Sequence, residues 1–324
     1  MHITNWYPLQ FQPILKEKIW GGQQLKTFLS KTPEDLPFGE SWEIADLPED
    51  QSVVTQGVLK GKTLGEVVSA FAKAVLGTPV VNQFGENFPL LIKYIDAADD
   101  LSVQLHPDDT LAKALHQGSG KTEMWYIMKA VPGAQIIVGF EGKMTPEKFD
   151  TAVATGTIND HLQYIDVTAG DCFFISAGLI HAIGKGIVLA EIQQTSDITY
   201  RVYDYHRKQP DGSLRDLHIE NARKALQYTN PDDYILEYDP SKIGVQTLKH
   251  CPFFKTDIIK LEASSHTIDR MDSFTVLIMV AGNMICRHQD KIYKLTIGET
   301  LLIPADCTSV LLEGTDAKFL EVYL

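Results

Sequence analysis

No apolar run in this chain is long enough to cross a bilayer, and the opening residues, MHITNWYPLQFQP, carry neither the basic head nor the apolar body of an export signal. The expected location is the cytoplasm. Cysteine is scarce, and Cys172, Cys251, Cys286 and Cys307 show no close-paired spacing, which fits reduced thiols better than a disulfide frame. Positive charge is in deficit: the formal charge of −13 argues against nucleic acid as a partner. A phosphorylated ligand would then need a locally basic pocket built from specific residues. A P-loop, a dinucleotide glycine motif and a Ser-His-Asp elbow are also missing, and Gly118-Ser119-Gly120 is too short for a phosphate cradle. Nothing implies a protein partner.

What is present is ordinary globular composition, 44% hydrophobic and 22% charged over 324 residues, enough for one large or two medium domains. Trp20-Gly21-Gly22 reads as a turn. SWEIAD and SVVTQGVLKG read as short strands between turn residues. Thr63 and Glu66 stand in capping-box register ahead of Val67, Ala70, Phe71, Ala74 and Val75, so the spacing predicts a helix from Thr63 that Gly77 and Pro79 stop. Phe88 to Ile95 reads as a buried strand interrupted by Lys93. A short helix is expected over Asp109 to His116, ended by Gly118. MWYIMKA and AQIIVGF read as a strand pair about Pro132-Gly133, and Thr145-Pro146 opens a helix through Ala154. GDCFFI, GIVLAEIQQ and TYRVYDY read as strands, followed by a last helix from His218 to Tyr228. The Pro- and Asp-rich stretch NPDDYILEYDPSK is the expected boundary, dividing residues 1–235 from a second β-rich unit, 236–324. Many short strands with Gly and Pro turns point to barrels or sandwiches with helices added.

The stretch that carries chemistry is LSVQLHPDDTLAKALHQGSGKTE. Gln104 and His106 are two residues apart, so on a strand they face one side. Gln104 is polar within an apolar run, and a buried amide needs a hydrogen-bonding or ligating partner. Glu123 follows after a short excursion, and His181 ends the apolar Leu179-Ile180. Two imidazoles, a carboxylate and an amide oxygen suit Zn2+ or another first-row divalent ion with positions left open for substrate. Taken singly, His106 is better read as a capped histidine before Pro107, and Glu123 as a surface carboxylate; it is their combination with Gln104 and His181 that favours a shared site. The cations come next. Lys121 lies two residues before Glu123 and faces the same way in an extended segment. Lys93 needs a carboxylate or phosphate if buried, and otherwise snorkels to water. Arg201 has Asp197 four residues earlier and is otherwise a structural pair with it. Trp20, Trp42 and Trp125 offer faces for a sugar, although tryptophans in short β-runs are more often core. His116, His161, His206, His218 and His250 lie in helices or polar loops and are set aside as ligands.

Two segments share a skeleton. Gly170-Asp171-Cys172-Phe173-Phe174-Ile175-Ser176-Ala177-Gly178-Leu179-Ile180-His181 gives a turn glycine, a buried strand, a turn and a histidine. Gly298 to Ser309 repeats it but ends in serine. The pattern resembles the second motif of the cupin superfamily, G-x5-P-x-G-x2-H, small jelly-roll barrels that often hold a metal. The first copy departs at Ser176 and the second lacks the later glycine and the histidine. The implied fold is mainly β, two cupin-type jelly-roll barrels with added helices, of which only the first could hold a metal.

More specifically, FPLLIKYIDAADDLSVQLHPDD with GKTEMWYI closely resembles type I mannose-6-phosphate isomerases. The likeness runs from KEKIWGG through SAGLIHAIG to EIQQTSDITYRVYDY. The resemblance implies one Zn2+ held by Gln104, His106, Glu123 and His181, with Arg201, Lys121 and Asp197 catalytic and Lys93 at the substrate. Trp20 is expected to bind the sugar with it. It also implies reversible conversion of mannose 6-phosphate to fructose 6-phosphate through a cis-enediol(ate). Arg201 would stabilise its charge, Lys121 with a lowered pKa would shuttle the proton, and Asp197 would orient Arg201 or act as base. Some members place a histidine just before the active-site lysine; here that position is Gly120, so proton transfer through it does not carry over. Two other readings remain open on the residues: a cupin oxygenase or decarboxylase with Fe or Mn, and a sugar-phosphate-binding regulator with structural zinc.

Overall fold

Thr63 is extended (φ −76°, ψ 157°), its side chain accepts from the Glu66 amide, and Glu66 reaches back to the Thr63 amide. Two otherwise orphaned donors are thereby satisfied reciprocally, and the helix Leu64–Leu76 starts there. Gly77 (φ 90°) ends it, but Pro79 does not stop the chain from coiling. It takes an early position in a second helix, Thr78–Phe84, where its missing N–H costs nothing. The computed structural model describes residue 3 and residues 5–324.

Strands β1 (Ile14–Gly22), β2 (Phe38–Ile44), β3 (Leu90–Ala97), β4 (Val103–Leu105), β5 (Glu123–Ala130), β6 (Gln135–Phe140), β7 (Leu162–Asp166), β8 (Cys172–Ile175), β9 (His181–Ile183), β10 (Ile187–Gln194), β11 (Tyr200–Tyr203) and β12 (Ile235–Leu236) form two antiparallel sheets. Their orders are β12-β8-β5-β10-β3-β2-β1 and β7-β6-β9-β4-β11. The second unit comprises β13 (Gly244–His250), β14 (Lys255–Leu261), β15 (Ser264–Ile268), β16 (Thr275–His288), β17 (Lys291–Thr296), β18 (Thr300–Ile303) and β19 (Val310–Tyr323). Its order is β13-β14-β19-β16-β17, with β15 on β19 and β18 on β16. Breaks in register near Met279 and Asn283 bend the 14-residue β16, with Gly282 (φ 69°) between them. One strand thus pairs with β18 at its start and β17 at its end. The chain is mainly β.

The two units share one hydrophobic core. The last carbonyls of Leu64–Leu76, which lack intrahelical donors, accept from the second unit: Asp306 N–H to Ala74 and Ala305 N–H to Val75 at 2.9 Å each, and Phe274 N–H to Leu76 at 3.2 Å. Leu9 and Leu302 exchange backbone hydrogen bonds of 2.7 and 3.0 Å. β3 is buried along its whole length because it is covered on both faces. Lys93 looks into a cavity, whereas the Tyr94 hydroxyl donates toward the Met279 carbonyl at 3.3 Å.

Three local expectations are corrected. Trp20-Gly21-Gly22 is the end of β1, not a turn; the glycines are there because the strand passes against backbone and carboxylate. A Cβ on Gly21 would strike the Pro37 carbonyl, and one on Gly22 would lie 2.6 Å from Asp96 Oδ2. MWYIMKA and AQIIVGF are strands but not a pair: the turn at Pro132-Gly133 carries the chain from one sheet to the other. In SVVTQGVLKG only Val53–Val54 is strand. The helix Asp109–His116 ends on Gln117 in the left-handed region (φ 56°), a residue before Gly118. β12 still pairs with β8, so the second sheet begins at Gly244, a few residues beyond the expected division.

Candidate active site

Three strand ends converge. His106 follows β4 by one residue, Glu123 opens β5 opposite Ile175 of β8, and His181 opens β9 opposite Gln104. His106 Nδ1 donates to the Ile198 carbonyl and His181 Nδ1 to the Leu179 carbonyl, both at 2.8 Å. Those bonds fix each ring's tautomer and leave both Nε2 atoms free to ligate. Each Nε2 lies 3.5 Å from a different oxygen of Glu123, and the three side chains' ligand atoms all fall within 4.8 Å of one another. All three residues are about 1% exposed, and neither Nε2 has a hydrogen-bond partner. Two buried, unpartnered lone pairs beside a carboxylate are costly alone and are relieved together by one cation. Burial pushes His181 down to about 4 and His106 well below its ordinary value, with the Lys121 charge adding to both shifts. Neutral imidazole is the ligating form. The residues therefore fit a divalent metal, and the Gln104 amide lines the same cavity as a further oxygen donor.

That cavity encloses about 510 Å³ and is lined by six cationic and five carboxylate side chains, a local positive excess in a chain whose formal charge is −13. Charges alternate away from the metal position. Lys121 Nζ lies 2.9 Å from Glu123 and 3.3 Å from Glu191, and Lys93 lies 3.8 Å from Glu191. The Lys121 contact with Glu123 Oε2 is an ion pair without hydrogen-bond angles. Burial alone would lower the Lys121 pKa, but Glu123 and Glu191 outweigh it and hold the ammonium above its usual range. Lys93 does shift down, through burial that its looser contact with Glu191 does not repay. Glu191 is pushed up by burial and by Glu123. Lys93 and Lys16 each stand about 5 Å from the Trp42 ring (5.0 and 4.8 Å).

Two family models match the chain. One, for the catalytic domain of type I phosphomannose isomerase, covers residues 9–125; the other, for the cupin domain of mannose-6-phosphate isomerase, covers 244–324. The mannose-6-phosphate isomerase ManA of Bacillus subtilis is 35% identical over 310 residues, 95% of this chain and 96% of that protein. The chain belongs to the type I phosphomannose isomerase family. The mannose-6-phosphate isomerase of Streptococcus mutans is 37% identical over 95% of both chains. The solved Bacillus subtilis mannose 6-phosphate isomerase superposes with a TM-score of 0.89 at 32% identity, over 98% of this chain and 99% of that one. The cupin reading of the second unit and the isomerase family thus agree with the sequence resemblance.

Within this phosphomannose isomerase, most of the expected residues come together. Gln104, Lys121, Glu123, Lys93, Trp20, Asp197 and Arg201 line one cavity, with His106 and His181 packed against Glu123 just behind that lining. Arg201 is opposite Gln104 across the β4–β11 pairing. Its expected pair with Asp197 is absent. Arg201 Nε donates to Ser102 Oγ at 3.3 Å and Nη1 to the Asp216 carbonyl at 2.8 Å, and Asp197 is exposed at the mouth. Trp20 is 4% exposed and packs in the core as well as lining the cavity. The sequence reading missed Glu191, Glu40, Lys16, Lys18 and Arg215, all at the cavity. Glu191 was visible, since it interrupts an apolar strand as Lys93 does, and the two are direct cross-strand partners. Lys16, Lys18 and Trp20 alternate along KEKIW with the strand period. Arg215 sits in an irregular loop where no periodicity marks it.

Proposed function

We propose that this chain, like relatives named mannose-6-phosphate isomerase, acts on mannose 6-phosphate, interconverting it with fructose 6-phosphate and using one Zn2+ at Gln104, His106, Glu123 and His181. The observation that carries the reading is the pair of unpartnered imidazoles and a carboxylate beside a locally cationic cavity that also holds Arg201 and Lys121. The reaction moves a proton from C2 of the open-chain aldose to C1 through a cis-enediol(ate). Bound zinc supplies a redox-silent Lewis acid for the sugar's oxygens.

The chain's own residues do the rest. Among the described residues Arg201 has no carboxylate in ion-pair range, so its charge remains available for the negative charge that develops on the sugar. Its shift downward, from burial and from Arg215, leaves a guanidinium protonated at neutral pH. Lys121, beside Glu123 and Glu191, shuttles the proton, with Asp197 at the mouth as the base or the carboxylate that orients Arg201. Lys93 and Trp20 hold the sugar phosphate, with Lys16 and Lys18 adding positive charge. The second unit, beyond the link between Leu236 and Gly244, carries no metal. No helix among the described residues is long and apolar enough to cross a membrane; the place of work we assign is the cytoplasm, without a protein partner.

A coupled assay of fructose 6-phosphate formation tests this, run beside oxygen uptake and metal analysis. Turnover of mannose 6-phosphate with no oxygen consumed and one zinc per chain is expected. Oxygen consumption with Fe or Mn bound, or tight sugar-phosphate binding without turnover, contradicts the proposal.

A further inference from the structure

Three of the six cations that line the cavity gather about one indole ring. Lys16 and Lys93 carry their ammonium groups 4.8 and 5.0 Å from the centre of the Trp42 ring. The Trp42 N–H donates to Glu40 at 2.7 Å, and Glu40 contacts Lys18 at 3.2 Å. Like charges brought together repel unless anions join them. Lys16 is paired with Asp50 and Lys18 with Glu40, one carboxylate for each. Both lysine side chains are about a third exposed, and ion pairs at such positions hold weakly. Each ammonium has three donors, so both tips can turn to a ligand. Lys93 has less. It is 5% exposed, and among the described residues its nearest carboxylate is Glu191, 3.8 Å away and shared with Lys121 at 3.3 Å. A buried ammonium that lines an open cavity with so loose a partner is relieved by an anionic ligand.

The strand order gives the distance of that anion from the metal position. From Glu123 on β5 the sheet runs through β10 to β3, with Glu191 of β10 directly opposite Lys93, and Lys93 directly opposite Trp42 of β2. Two strand spacings, roughly 10 Å, separate the strand of Glu123 from that of Lys93. An open-chain hexose with C1 and C2 at the metal extends its sixth carbon and phosphate over that span. The two arginines of the cavity do not compete for it. Arg201 stands opposite Gln104, beside the metal position, and Arg215 is closed by Asp204, to which its Nε donates at 2.8 Å. We infer that Lys16, Lys18 and Lys93 about the Trp42 ring form the seat of the substrate's phosphate dianion, with Lys16 and Lys18 the specificity-determining residues that favour a phosphorylated over a free aldose. The seat rests on the isomerase reading above for the identity of the sugar, while the gathered cations are independent of it.

The test replaces each β1 lysine singly, Lys16→Met and Lys18→Met, which keeps an apolar stem and removes the charge. Mannose 6-phosphate turnover is read beside zinc content and melting temperature, and fructose 6-phosphate binding to the zinc-loaded proteins is read by calorimetry. Each variant should raise KM about tenfold with kcat and zinc content nearly unchanged, and weaken fructose 6-phosphate binding by a similar factor. The rise of KM with added salt should also flatten in both, a change that a merely structural role would not produce. A fall in kcat with KM unchanged, or variants that bind fructose 6-phosphate as the wild type does, overturns the seat. So does a greater loss of affinity in Arg215→Met than in either lysine variant, which would put the phosphate beside Arg215. Should the wild type bind fructose 6-phosphate but turn over neither sugar phosphate, the function reading fails, and the calorimetry alone decides the seat. A wild type that binds no sugar phosphate overturns both.

Discussion

The two halves of the molecule are built on one strand plan and differ in what they do with it. In the first, Ile175 of β8 lies opposite Glu123; in the second, Ile303 of β18 lies opposite Thr275. Glu191 sits between Trp125 and Lys93, and Glu321 sits between Leu277 and Asp257 in the same pattern. His181 faces Gln104, whereas Ser309, its counterpart in the repeat, has its amide 3.3 Å from the Asp269 carboxylate. Of the proposed ligands, Glu123 is thus matched in the second half by Thr275 and His181 by Ser309.

The polar remainder is also handled differently. In the second half both carboxylates are tied off, Glu321 by His266 and Arg270 at 3.1 Å each, Asp257 by His250 and Tyr323 at 3.0 Å each. In the first half Glu191 and Lys93 keep a loose 3.8 Å contact beside a cavity, and two imidazoles keep unpartnered nitrogens. Glu321 and Asp257 are thus closed off by their partners, while the buried imidazoles of the first unit keep nitrogens open beside a cavity.

The comparison breaks most sharply if a residue of the second half is placed in the first. Glu123→Thr should abolish stoichiometric metal binding and lower turnover by at least about a thousandfold, read by metal analysis and the coupled assay. Retained metal would show that the ligand set is misassigned. Arg201→Ala should sharpen the division between binding the metal and using it: turnover falls about 100- to 1000-fold while metal content stays at the wild-type level. Full activity in that variant rejects its role.

Where the halves meet, Lys31 and Glu43 form a buried ion pair at 2.6 Å, with Ser41 donating to the same carboxylate group at 2.6 Å. Lys31→Met leaves that carboxylate without its cation and should cost about 3–5 kcal/mol by denaturant unfolding, with kcat nearly unchanged in the folded fraction. An unaltered midpoint would mean the pair contributes nothing to stability. The smallest effect lies within the second half. Burial would raise the Glu321 pKa, but hydrogen bonds from His266 and Arg270 hold it below its ordinary 4.5. Because the native value is depressed, its contribution is present above the unfolded value and is lost as pH falls through the native one. Glu321→Gln should therefore be about 1–3 kcal/mol less stable at pH 7, with the gap to wild type closing below about pH 4. A gap independent of pH would assign the loss to packing instead.

Much of this arrangement was legible because it follows short-range rules. The capping box at Thr63 needs only neighbours in sequence. The isolated polar residues Lys93 and Gln104 in apolar runs announced a buried polar face. The glycines at 21 and 22 were misread because close approach to Pro37 and Asp96, distant in sequence, leaves the same residue type as a turn does. MWYIMKA and AQIIVGF were misread as a hairpin because a barrel corner and a hairpin use the same turn residues. Against burial, the Lys121 pKa is raised first by Glu123 and then by Glu191, which is seventy residues away and is brought beside it by the pairing of β5 with β10. Long-range pairing of charges is what local periodicity does not carry.

The most direct test of the single-metal, first-half site is a zinc titration of metal-stripped chain, following mannose 6-phosphate turnover at each addition. Activity should be lost on stripping and should return linearly, reaching its plateau at one zinc per chain. Undiminished turnover in the stripped protein, or a plateau that needs a second equivalent, would contradict it.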